Sequence, residues 1–190
     1  MSAVQVAERL TAEQFLDLPI SEDGRPRSLV DGEVVVTQAT ILHAKTVLNI
    51  LLAIENWARA EPGRGAATVP VDVLIDERNV YAPDVLWYAE GRFPDTDDAP
   101  PYTVPDLAVE VRSPSTWRFD IGAKKAGYER RGLPELWLVD TMADAVLVFR
   151  RSRTDAPSFD VAAELDRDAR LESPLLPGFS LALSEVFPER

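Results

Sequence analysis

An α/β (α+β) fold, with a mixed central β-sheet flanked by helices, is predicted by three features of this sequence. The stretch ILHAKTVLNILLAIENWARAE carries apolar residues at Val47, Leu51, Ile54 and Trp57 or Ala58, the spacing of one helical face. Short β-rich segments follow it: ATVPVDVLID, VYAPDVLWYA, PDLAVEVRS, ELWLVD, AVLVFRR and, last, FDVAAEL. A second helical stretch, IGAKKAGYERRG, separates the third of these from the fourth. A long amphipathic helix, a sheet and a helix crossing to a further strand make layers of helix on sheet rather than a sandwich of sheets alone.

Each element has its own local cause. Thr11, followed by an acidic residue in TAEQFLDL, predicts a short capped helix over residues 11–18. RSLVDGEVVVTQ sets an Asp-Gly pair ahead of a β-branched run, which signals a hairpin. The long helix is expected over residues 41–60 and stops before PGRG. LPGFSLALSEVF reads as a closing strand or turn packed through Phe179, Leu181, Leu183 and Phe187. No repeat, low-complexity linker or shift in composition marks a boundary, so residues 1–190 are expected to form a single domain.

Composition narrows the function classes. A hydrophobic content of 46% with 27% charged residues is that of a folded globular chain. Without cysteine there are no disulfides or thiolate metal sites, which suits a reducing compartment. No apolar run approaches the ~18 residues of a membrane span, and MSAVQVAERLTAEQFLDL lacks the basic start and apolar block of a signal peptide. A cytoplasmic location and no membrane partner are expected. The net charge of -12 argues against broad nonspecific binding to nucleic acid, which requires Lys and Arg against phosphates. Yet between Arg112 and Arg131 six basic residues face only Asp120 and Glu129. The positive part of the field therefore surrounds one stretch, and Glu110 lies just before it.

Alternation in DLAVEVR puts Leu107, Val109 and Val111 on one face and Ala108, Glu110 and Arg112 on the other. Upstream, Asp84 interrupts an apolar run directly after Pro83, a residue that marks a strand start, edge or bulge. Two lone carboxylates on neighbouring strands repel if their faces meet, and a divalent cation is the usual relief. A cation there would lower the pKa of a water, leaving a need for a positive group, for which Lys124 is the candidate. Asp120, Lys124 and Tyr128 are spaced i, i+4, i+8 and share one helical face, while Lys125 points elsewhere.

Plainer readings stand beside these. Asp84 can cap backbone N–H groups at a turn. Glu110 can be paired with Arg112 or Lys124 in a purely structural ion pair. Lys124 alone can be a solvated helix residue, and Asp120 and Tyr128 can orient neighbours or pack and cap the helix. His43, the only histidine, lies four residues before Val47 and suits a half-buried, hydrogen-bonded role. Trp117 reads as a loop anchor or as a surface for base stacking. Other hydrolase signatures are missing: there is no GxSxG, no Ser followed three residues later by Lys, no phosphate-binding loop, and one His without Cys disfavours triads and zinc.

Taken together, the pieces resemble the Uma2 family (DUF820) of the PD-(D/E)xK superfamily. They are LVDGEVVV, His43, PVDVLIDERNVYAPDVLWY, VPDLAVEVRSPST, the series Asp120, Lys124, Tyr128, then GLPELWLVD and LPGFSLALSEVF, in order from about residue 11 to 187. The resemblance implies a restriction-endonuclease-like core with Asp84 and Glu110 as ligands of Mg2+ (or Mn2+), joined by the Val111 carbonyl. It implies that the lysine usually found two residues after the acid has moved to the next helix, at Lys124; the ordinary position holds Arg112, which cannot act as a base near pH 7. It also implies that His43 contacts water or substrate. The family's glutamate three residues before the Asp-Gly pair is Ser28 here, and Glu33 is the nearby residue able to compensate.

The activity so implied is Mg2+-dependent hydrolysis of DNA phosphodiester bonds by an endonuclease. Two-strand cutting and the prevalence of symmetric dimers add the expectation of a homodimer. Ser28 and the net charge support an alternative, a catalytically weak or inactive nuclease-fold binding or assembly protein. A phosphodiesterase for a small nucleotide is a third possibility that suits the acidic surface.

Overall fold

The computed structural model describes residues 9–19 and 24–187. The start of the signal-peptide reading, residues 1–8, lies outside them. Thr11 caps α1 (Ala12–Leu16): its hydroxyl accepts from Gln14 N while the Gln14 side chain accepts from Thr11 N, a reciprocal pair that satisfies two free donors. The predicted hairpin is β1 (Arg27–Val30) and β2 (Glu33–Val36). Asp31 and Gly32 both have positive φ, 50° and 80°, as a tight two-residue turn between twisted strands requires.

The long helix is α2 (Ile41–Ala60), as expected. Its buried line runs through His43, Thr46, Ile50, Ile54 and Ala58, with the predicted Val47, Leu51 and Trp57 packed beside it. Two of the predicted strands divide at proline. ATVPVDVLID becomes β3 (Ala66–Thr68) and β4 (Val73–Asp76), and VYAPDVLWYA becomes β5 (Asn79–Tyr81) and β6 (Val85–Tyr88). Proline has no N–H for a ladder, and at both Pro70 and Pro83 the chain passes from one sheet to another.

The remaining strands are β7 (Leu107–Val111), β8 (Glu135–Asp140), β9 (Ala145–Arg150), β10 (Val161–Leu165), β11 (Arg170–Leu171) and β12 (Leu181–Ala182). Six strands form the central sheet in the order β10-β9-β8-β7-β6-β3. It is mixed, with β7 and β8 parallel and the other pairs antiparallel. The crossover from β7 to β8 is helical: α3 (Trp117–Phe119), a π-helical turn (Asp120–Lys124) and α4 (Lys125–Arg131), stopped by Gly132 at φ 86°. It starts earlier than the sequence pattern marks it.

Helix α2 covers one face of the sheet, where Ile50 and Ile54 meet Val85, Trp87, Leu107, Val109 and Trp137. The segment from Leu171 to Phe187, including α5 (Leu183–Val186), completes that layer. On the opposite face Leu86, Ala108, Leu136 and Leu138 pack under Tyr81, Tyr128 and the second sheet, ordered β2-β1-β5-β4. Among the described residues no helix is long and apolar enough to cross a membrane.

Candidate active site

Four elements end at one place. Asp84 stands between Pro83 and the first residue of β6, and Glu110 is the penultimate residue of β7. His43 comes from the first turn of α2, where the Thr40 hydroxyl accepts from His43 N at 3.2 Å. Lys124 closes the π-helical turn. Alternation along β7 sends Leu107, Val109 and Val111 toward α2 and Glu110 toward the crossover helix, as the sequence pattern predicts.

The backbone of β7 contributes as well. Arg112 N donates to Val139 O at 2.9 Å and Glu135 N to Asp106 O at 3.3 Å, so the even-numbered peptide groups of β7 face β8. The odd-numbered ones therefore face β6. On that side Val111 N donates to Asp84 Oδ2 at 2.7 Å. Continuing the β6–β7 register places Pro83 opposite Val111, and proline offers no N–H to the Val111 carbonyl.

Glu110, 3% exposed, receives three contacts. Lys124 Nζ lies 3.2 and 3.1 Å from its two oxygens, and Tyr128 Oη donates to Oε1 at 2.7 Å. Lys124, itself 2% exposed, also lies 2.9 Å from Asp120 Oδ1. The other oxygen of Asp120 accepts from Thr116 Oγ1 at 2.8 Å, and Thr116 is tied to Ser113 at 2.9 Å between hydroxyls. Across the site His43 Nε2 is 3.2 Å from Asp84 Oδ1, and His43 Nδ1 faces Arg112 O at 3.4 Å.

These contacts set the proton affinities. Burial raises Glu110 to about 8; Lys124 opposes the shift, while Asp120 and Asp84 add to it. Burial also raises Asp120 against the pull of Lys124. Desolvation works to lower Lys124, but the charges of Glu110 and Asp120 outweigh it and keep the ammonium protonated. Burial likewise opposes protonation of His43, and its hydrogen bond to Asp84 leaves its pKa raised. Three buried carboxyls thus share one ammonium and His43, a crowding that holds a proton on Glu110 and that a further cation would relieve in the proton's place.

Among the described residues no group of three or more His, Cys, Asp or Glu side chains is arranged to hold a metal. The donors at hand are the carboxylates of Asp84 and Glu110 and the Val111 carbonyl. That set of hard oxygens fits Mg2+, which takes one or two protein carboxylates and keeps several waters.

Asp84, Glu110, Val111, Lys124, His43, Asp120 and Tyr128 are brought together. Arg112 is held elsewhere: its guanidinium meets both oxygens of Asp140 at 2.9 and 2.8 Å and lies over Trp117. Glu33 is exposed at the hairpin tip and, among the described residues, has no hydrogen bond or ion pair with this group. Ser28 is buried and its hydroxyl accepts from Ala82 N at 3.1 Å, so it braces the chain just before Pro83 and Asp84. Lys125 turns away to lie over Phe149 at 4.5 Å. The sequence reading misses Thr116 and Ser113; the i, i+4 spacing of Thr116 and Asp120, repeated by Asp120 and Lys124, was the available signal.

Residues 12–184 match the model of the Uma2 family, described as "Putative restriction endonuclease". Among solved structures the chain is similar to a protein from Anabaena variabilis ATCC 29413 titled "a putative nuclease belonging to DUF820". The two share 17% identity over 94% of this chain and 97% of the other, with a TM-score of 0.76. At that identity the likeness speaks for the fold. No curated protein sequence matches the chain.

Proposed function

Because the chain belongs to the Uma2 family, as the match over residues 12–184 establishes, we propose that it is a metal-dependent endonuclease that hydrolyses DNA phosphodiester bonds. The observation that carries this reading is the meeting of Asp84, Glu110 and Lys124, three ionisable groups from three elements, in a buried cluster where burial and the neighbouring carboxyls raise Glu110. Asp84, Glu110 and the Val111 carbonyl would hold Mg2+ or Mn2+. Bound there, the cation supplies a water of lowered pKa and charge neutralisation at the scissile phosphate.

The protein's own groups do the rest. Val111 N–H and His43 fix the Asp84 carboxylate from both sides, so its orientation is set before metal arrives. Tyr128 fixes Glu110 Oε1 in the same way. The Lys124 ammonium remains charged and offsets negative charge that builds on the phosphate during attack. His43 is placed to hold a proton between Asp84 and the Arg112 carbonyl.

The proposal includes one domain over residues 1–190, a cytoplasmic setting and a homodimer that cuts both strands. A second reading, a nuclease fold that binds more than it cuts, is favoured by Ser28 in place of the family's glutamate and by the closure of Lys124 on Glu110. Incubation of supercoiled plasmid with the purified protein and Mn2+ separates the two. Nicking that disappears in Lys124→Ala supports the enzyme, and retention of the plasmid without nicking supports the binder.

A further inference from the structure

Resting on the metal-dependent reading, we propose that Lys124 takes the cation's place at Glu110 in the metal-free protein, and that Asp120 is the fixed point to which its ammonium withdraws when metal binds. The geometry of the two carboxylates differs in a way that assigns these roles. Lys124 Nζ sits between both oxygens of Glu110, at 3.2 and 3.1 Å, and so lies on the side of the carboxylate where a cation would bind both. Two positive charges cannot share that side at close range without strong repulsion in a buried site. Metal entry therefore requires the ammonium to move.

Asp120 provides the place. Its Oδ2 is pinned by the Thr116 hydroxyl, at 2.8 Å, and Thr116 is itself held by Ser113. Its Oδ1 is buried and, among the described residues, accepts no aligned hydrogen bond, although the ammonium lies only 2.9 Å away. An unfilled acceptor in ion-pair contact with a lysine is what a small rotation of that lysine would complete. The π-helical turn contains both Asp120 and Lys124, and the ammonium already lies 2.9 Å from Asp120 Oδ1, so it has little distance to travel. Helices of this kind recur at functional sites as single turns.

The consequence is that metal and Lys124 compete for Glu110. Titration of the chelator-treated full chain with Mn2+ or Mg2+ alone, followed by calorimetry and thermal unfolding, tests it. Lys124→Met is expected to bind metal at least about tenfold more tightly than the wild type. Asp120→Asn, which takes the charge from the withdrawal point, is expected to bind about tenfold more weakly. Metal affinity in Lys124→Met equal to or weaker than that of the wild type overturns the competition, and the metal reading survives it. Absence of binding in every variant overturns both.

Removing the lysine also removes a charge, so a second measurement follows the ammonium itself. In crystals of the wild type with Mn2+, the Lys124 ammonium is expected within hydrogen-bond distance of Asp120 Oδ1 and beyond the ~4 Å ion-pair limit from Glu110. An ammonium still bridging both Glu110 oxygens with metal bound contradicts the proposal, whatever the affinities.

Discussion

Lys124 illustrates how much a single buried charge can govern. In water its pairing with Glu110 would be worth little, but at 2% exposure both groups have lost their solvent and each depends on the other. Removing the ammonium leaves Glu110 and Asp120 facing each other, so Lys124→Met in metal-free protein is expected to lose about 3–5 kcal/mol in urea denaturation. Added Mg2+ should restore part of that loss. Gly127 is constrained differently: a Cβ there would collide with the Tyr81 ring, which packs edge-on to Tyr128 at 5.0 Å between centroids. Gly127→Ala is expected to destabilise by about 1–3 kcal/mol and to disturb the Tyr128 contact to Glu110. The acids and the lysine were legible in the sequence because each breaks a pattern: Asp84 and Glu110 interrupt apolar strands, and Lys124 falls in register with Asp120 and Tyr128. Thr116 and Ser113 break none. A hydroxyl residue before a helix is common, and only the i, i+4 spacing to Asp120 sets Thr116 apart from its neighbours.

Helix α2 and strand β7 owe their clarity in the sequence to length and period. The five residues of β7 are all buried, and the alternation of side chains along a strand sets Glu110 on the face opposite Val109 and Val111, because a one-residue slip would move every side chain to the other layer. Twenty residues of helical spacing fix α2. The split strands were harder to foresee, since periodicity does not say which sheet a segment joins. Pro70 and Pro83 signal the interruption, but the exchange between sheets depends on what packs on each side. The π-helical turn left no mark in the pattern either, since the i, i+4 spacing of Asp120 and Lys124 looks the same as in an α-helix. Function and stability should separate along α2. Ile54→Ala, in the layer away from Glu110, is expected to lower stability by about 2–5 kcal/mol while leaving metal uptake intact, as unfolding with and without Mn2+ would report. His43→Ala, one end of the same helix, is expected to do the reverse: a smaller loss of stability and a reduced metal-linked gain.

The whole molecule combines an acidic surface charge with a site that concentrates its own negative charge inside, and both have consequences in solution. Glu110 is raised by burial to about 8, so the folded protein holds this proton more tightly than the unfolded chain does. Its contribution to metal-free stability is fully present below the ordinary carboxylate range and is lost as the pH rises through about 8. Metal replaces that proton, so the gain in melting temperature from Mg2+ should grow from pH 6 to pH 9. Glu110→Gln should flatten both trends. The net charge of -12 predicts that DNA affinity is weak and falls with added salt, carried by the few basic residues around the crossover. The most direct test of a metal-dependent nuclease is cleavage of supercoiled plasmid by the wild type and by Glu110→Gln, each with Mn2+ and with EDTA. A metal-dependent nuclease nicks as the wild type only with Mn2+ and loses about 100-fold or more in Glu110→Gln; equal nicking in EDTA, or undiminished nicking by Glu110→Gln, would contradict that function.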